Sequence, residues 1–127
     1  MRDFVFRGKR KENGYWISGG VCEFRDFNGS IVHNIIHNGL ANEVVPTTIG
    51  QFTGLKDRNG YDIFEGDILR SSVGTVYVVE WDGENARYLG FTIGKERRII
   101  YVGREPKSEI IGNIHDNPEL LKGENDE

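Results

Sequence analysis

Glycine interrupts this chain so often that long helices have little room to form. It occupies 17 of 127 positions, and the apolar residues between glycines fall in short alternating runs. FVFRG, YWISG, VCEFRDF and SIVHNII in the first half read as strands, because alternation places one set of side chains on each face of a sheet. Asn28-Gly29 supplies a hairpin turn, since both residue types tolerate the positive φ that tight turns demand, and Asn38-Gly39 closes the strand that follows.

Val44-Val45-Pro46 marks a seam: proline lacks a ladder donor and restricts the residue before it. Beyond it TTIGQFTGL and YDIFEGDIL flank a turn at Asp57-Arg58-Asn59-Gly60, with further bends set by Gly54, Gly66 and Asp67. GTVYVVEW, RYLGFTIG, RIIYVG and SEIIGNIH follow at short intervals. Strands so short and so evenly spaced predict a small barrel, with Ile68, Val76, Val78, Phe91, Ile100 and Ile110 competing for its core. HDNPELLKG gives a short C-terminal helical turn, with Asn117 as cap and Pro118 in the first position. The expected organisation is mainly β: an N-terminal β-rich lobe over residues 1–48, a barrel over 49–122, and a disordered tail over 123–127.

Composition narrows the chemistry. Cys22 is the sole cysteine, so no internal disulfide can form and a reducing cytoplasm is expected. The basic start MRDFVFRGKRKENG has no apolar stretch and does not read as a signal peptide, and no apolar run reaches the roughly 20 residues that span a bilayer. Glu65 and Asp67 would share a strand face roughly 6.6 Å apart at Cα, a spacing that suits a carboxylate pair for hydrolysis. Any alternating acidic strand does the same, and no other catalytic group accompanies them, so no catalytic residue is assigned. Asp57, Asn59 and Asp62 lack the glycine and glutamate of a calcium loop. His33 and His37 would be roughly 13 Å apart on a strand, and with His115 and Cys22 they define no metal site. GFTIGKE is too short between its glycines for a phosphate-binding loop. No metal and no cofactor is expected.

Charge is uneven. The net charge is -4, yet residues 1–11 and 86–107 each carry +4, while residues 12–55 carry -3. In the second basic block Arg87, Lys95, Arg97, Arg98 and Arg104 interleave with Tyr88, Phe91 and Tyr101. A basic face with aromatic side chains can stack and hold single-stranded nucleic acid. The simpler alternative is a solvated hairpin with Phe91 pointing inward.

FRGKR at Phe6–Arg10 followed by Trp16 and Gly19, VPTTIGQFTGLKDRNGYDIFEGDIL at Val45–Leu69, and EIIGNIHDNPELL at Glu109–Leu121 together resemble the YopX family of phage and prophage proteins over nearly the full length. The resemblance implies a β-rich chain whose second half is an SH3-like barrel, and an origin in a mobile element working in the cytoplasm of a bacterial host. It brings no catalytic residues with it. The expectation is therefore a non-enzymatic protein-binding or self-assembly module whose partner is a second copy or a host or phage protein. A single-stranded nucleic-acid binder is the alternative, a hydrolase built on Glu65 and Asp67 the third, and no membrane partner is expected.

Overall fold

The computed structural model describes residues 5–94, 96–102 and 107–122. It is mainly β, its strands paired antiparallel, and the chain divides into two units, Met1–Phe52 and Thr53–Glu127. Among the described residues no helix is long and apolar enough to cross a membrane.

In the first unit β1 (Phe6–Lys9), β2 (Trp16–Arg25), β3 (Ile31–His37) and β4 (Leu40–Glu43) lie in the spatial order β4-β3-β2-β1. YWISG and VCEFRDF, expected as separate strands, merge into the ten-residue β2. That strand changes partner midway: Trp16–Gly19 pair with β1 and Gly20–Arg25 with β3. Gly19 permits the change, because a Cβ there would sit 1.9 Å from the Ile36 carbonyl oxygen. The β3–β4 hairpin turns on Asn38 and Gly39 at φ 51° and 77°, as the Asn-Gly pair predicts. Ile35 and Val44 are buried against Gly8, where a side chain would crowd both. The seam residues Pro46–Thr48 form a single 3₁₀ turn, and the Thr48 hydroxyl accepts the Lys9 N–H while donating to the Val45 carbonyl. The first residues of β5 (Gly50–Lys56) then pair with β1.

The second unit holds the rest of β5, with β6 (Asp62–Phe64) beside it, and a five-stranded sheet. The sheet contains β7 (Asp67–Arg70), β8 (Val76–Asp82), β9 (Arg87–Thr92), β10 (Ile99–Ile100) and β11 (Glu109–Asn113), in the order β10-β9-β8-β7-β11. Among the described residues these ladders stay open.

Parity corrects the expected core. Leu69, Tyr77 and Val79 face the main cluster with Ile63 and Val102, and Tyr88, Ile100 and Ile110 pack against it. Ile68, Val78 and Phe91 form a cross-strand row on the opposite face. Ile68 and Val78 are nevertheless buried, whereas Phe91, expected inside, is only half-buried. Both faces of β7 and β8 are therefore covered, which alternation alone does not reveal, since VYVVEW offers an apolar residue at nearly every position.

The C-terminal turn forms as 3₁₀ over Pro118–Leu121, but Asn117 does not cap it. Its carboxamide oxygen instead accepts the Asn113 N–H and lies against Gly112, where a Cβ would be 2.5 Å away. Asn113 in turn accepts the N–H groups of His115 and Asp116. This folds GNIHDNP into one knot at the end of β11.

Candidate functional site

The basic–aromatic block is only partly basic once folded. Arg87 sits 3.5 Å from the Asp82 carboxylate and stacks 5.5 Å from the centre of the Tyr101 ring. Arg97 donates to Glu80 across the sheet and covers the Phe91 ring at 4.2 Å. Tyr88 meets Trp81 edge to face at 4.9 Å, as directly opposed residues on β9 and β8 do. Arg98 is exposed while its backbone N–H is held by the Thr92 hydroxyl. Tyr101 is half-exposed. Lys95 and Arg104 lie outside the described residues. Of the described arginines in this block, Arg87 and Arg97 have a carboxylate beside them, which lowers the field a phosphate backbone would meet.

The carboxylates of the 51–69 stretch have structural partners. Asp67 is 1% exposed and accepts the Phe64 N–H at 2.8 Å. Glu65 is not on a strand: it occupies the turn before Gly66, whose φ is 92°. The strand spacing expected for the pair therefore does not apply, and the buried Asp67 carboxylate does not face solvent.

Asp57 is the more connected acid. One carboxylate oxygen accepts the Asn59 and Tyr61 N–H groups and the other accepts the Ile110 N–H from β11. Burial alone would raise its pKa, but these three donors and the Arg58 charge hold it below the usual aspartate value. Gly54 and Gly60, at φ 89° and 84°, flank the loop that Asp57 organises. His33 pairs with Glu23 across β2 and β3 at 3.1 Å, and the His37 ring contacts the Ser18 carbonyl. Among the described residues no group of three or more His, Cys, Asp or Glu could hold a metal ion.

Two further features emerge only from the folded chain. The first is the β2–β3 hairpin, where every residue from Val21 to Ile31 is exposed. Phe24 is 48% exposed, Ile31 53%, and Phe27 at the tip is fully exposed. The tip is nonetheless fixed. Asp26 Oδ1 accepts from Asn28 and Ser30, the Asp26 carbonyl accepts from Gly29, and Arg25 donates to the Gly29 carbonyl. The visible signal was an aromatic inside an Asp-Phe-Asn-Gly turn, where solvent-facing polar residues are usual.

The second feature is a shallow cleft of about 250 Å³ on the far face of the five-stranded sheet. Val78, Phe91, Ile93 and Leu121 line it together with the polar Thr92 and the Glu80–Arg97 ion pair. It arises where the C-terminal turn meets the row of Phe91 and Val78, a meeting between residues distant in sequence.

Comparison with known proteins places the chain in a family. A model of the YopX protein family matches residues 5–122. The chain resembles the crystal structure of protein EF1440 from Enterococcus faecalis, with 26% identity and a TM-score of 0.58 over 96% of this chain and 100% of that one. It also resembles the crystal structure of protein yopX from Bacillus subtilis, with 19% identity and a TM-score of 0.46 over 97% of this chain and 98% of that one. No curated protein matches the chain.

Proposed function

The chain belongs to the YopX family, and on that footing we propose that it is a non-enzymatic protein-binding or self-assembly module. The exposed β2–β3 arm carries this reading. A two-stranded ribbon is marginally stable by itself, and this one leaves apolar side chains half to fully exposed. Phe24, Phe27 and Ile31 line that arm, and a partner is the natural means of burying them. The SH3-like barrel assignment for the second unit, and a phage or prophage origin with work in the bacterial cytoplasm, belong to the same proposal.

The test is light scattering of the purified chain across concentration, together with capture from bacterial lysate with and without nuclease. An assembled mass, or a protein partner that survives nuclease and is lost in the Phe24→Ser/Phe27→Ser double variant, supports the reading. A single-chain mass with nothing retained overturns it.

Nucleic acid is the competing ligand, favoured by the exposure of Arg98 and of Tyr101 beneath Arg87. It requires salt-sensitive binding to single strands that Arg97→Glu/Arg98→Glu removes. No binding at low salt would end it.

A further inference from the structure

Four Asn-Gly pairs occur in the chain, beginning at Asn13, Asn28, Asn38 and Asn59, and all eight residues are exposed. Asparagine is chemically labile, and a glycine after it leaves the next backbone nitrogen unshielded by a side chain. Exposure does not separate the four pairs; hydrogen bonding does. We propose that Asn38-Gly39 is a site of spontaneous deamidation, converting ahead of the other three, and that its isoaspartyl product unfastens the β3–β4 hairpin.

The reaction needs no enzyme, oxidant or reductant. The Gly39 nitrogen attacks the side-chain carbonyl carbon of Asn38. As that C–N bond forms, the proton of the attacking nitrogen passes through solvent to the amide nitrogen, whose bond to carbon breaks, and ammonia leaves. Water then opens the cyclic imide at either carbonyl. One product is ordinary aspartate; the other runs the chain through the side-chain carboxyl and carries an extra backbone carbon.

Three of the four glycine nitrogens are tied. Gly14 donates to the Arg10 carbonyl at 2.8 Å, Gly29 to the Asp26 carbonyl at 3.1 Å and Gly60 to the Asp57 carbonyl at 3.0 Å. Side chains brace the same turns: Asn13 Oδ1 accepts the Tyr15 N–H, and the Asp26 and Asp57 carboxylates accept the N–H groups of Asn28 and Asn59. At Asn38-Gly39 neither the Asn38 carboxamide nor the Gly39 N–H makes a hydrogen bond with any described residue. The turn is closed by the His37–Leu40 pair, and β4 is a four-residue edge strand. The local opening that brings nitrogen and carbonyl together therefore breaks few bonds.

Turn geometry sets the consequence. A two-residue hairpin loop of this kind needs positive φ at both positions, which Asn38 and Gly39 supply at 51° and 77°. Aspartate tolerates that conformation, so the ordinary product keeps the turn. The extra carbon of the isoaspartyl product lengthens the loop that fixes the register, and breaks the pairing of His37 with Leu40 and of Ile36 with Ala41. The other end of the hairpin stays anchored, where the Val44 N–H donates to the His33 carbonyl and Lys11 pairs with Glu43. The modification frays one end of an edge strand and leaves the rest of the first unit folded.

The test is storage of the purified full chain at mildly alkaline pH, with peptide mapping by mass spectrometry and chromatographic separation of the two aspartyl products. A hydrogen bond that must break first slows the attack, so Asn38 should convert about two- to tenfold faster than Asn13, Asn28 or Asn59. Hydrogen exchange of the isoaspartyl fraction should be faster at residues 36–41 and unchanged at Val44. Asn38→Asp stands in for the ordinary product and should exchange like wild type. Conversion of any other pair at an equal or higher rate overturns the site, as does an Asn38 that stays unconverted while another pair reacts. If isoaspartyl chains exchange like Asn38→Asp, the unfastening is wrong.

Discussion

Asp57 allows the sharpest test of how the second unit is held together. Its side chain is 8% exposed and joins a loop to β11 through three backbone donors at 2.9, 2.9 and 3.0 Å. In Asp57→Asn one oxygen remains for the loop, but the new amide group confronts the Ile110 N–H with a second donor. Losing one charge-assisted bond costs about 1.5–3 kcal/mol. Asp57→Ala removes all three acceptors. Asn59 and Tyr61 are exposed, so their N–H groups recover water and the total stays near 3–4 kcal/mol. A domain of this size loses roughly 4–8 °C of melting temperature per kcal/mol, so Asp57→Asn should melt at least about 6 °C below wild type.

The pH dependence has a definite sign. The folded-state pKa of Asp57 lies below its ordinary value of 3.8, because the donors outweigh burial. The unfolded chain therefore takes up the proton first, so this contribution is complete above pH 3.8 and is lost as pH falls through the folded-state value. Thermal denaturation followed by circular dichroism between neutral and strongly acidic pH measures both effects. Wild type should approach the variant as the acid is titrated. An Asp57→Asn protein that melts within about 2 °C of wild type near neutral pH would refute the clasp.

Two further outcomes check the packing. Gly90→Ala places a Cβ 2.4 Å from a Tyr77 ring carbon, and overpacking there should cost about 1–3 kcal/mol by denaturant titration. Gly83→Ala, whose nearest neighbour is 3.7 Å away, serves as the control and should change stability by less than about 1 kcal/mol. Leu69→Ala, at 0% exposure in the main cluster, should cost about 2–5 kcal/mol, against little change for Val73→Ala at 84% exposure.

Local chemistry made several elements readable from the sequence alone. Asn38-Gly39 turns the β3–β4 hairpin because both residues accept positive φ, and Pro118 begins the C-terminal 3₁₀ turn because its missing N–H has no partner there to lose. The family, too, was legible, since its motifs coincide with turns and knots: Gly112 admits the Asn117 amide, and Asn113 gathers the chain after it.

What the sequence left open required long-range contact. Alternation in β8 and β9 gave two equally apolar faces, and only the packing of Ile63 and Val102 on one side and Leu121 on the other decided which was which. Gly19-Gly20 reads locally as a break between strands. The close approach of the Ile36 carbonyl turns it into a point where one strand changes partner. Asp57 reads as a turn residue until Ile110, far along the chain, donates to it. The exposed arm and the cleft are likewise properties of burial, and burial belongs to the folded chain: a side chain is inside or outside only relative to residues that sequence separation does not reveal.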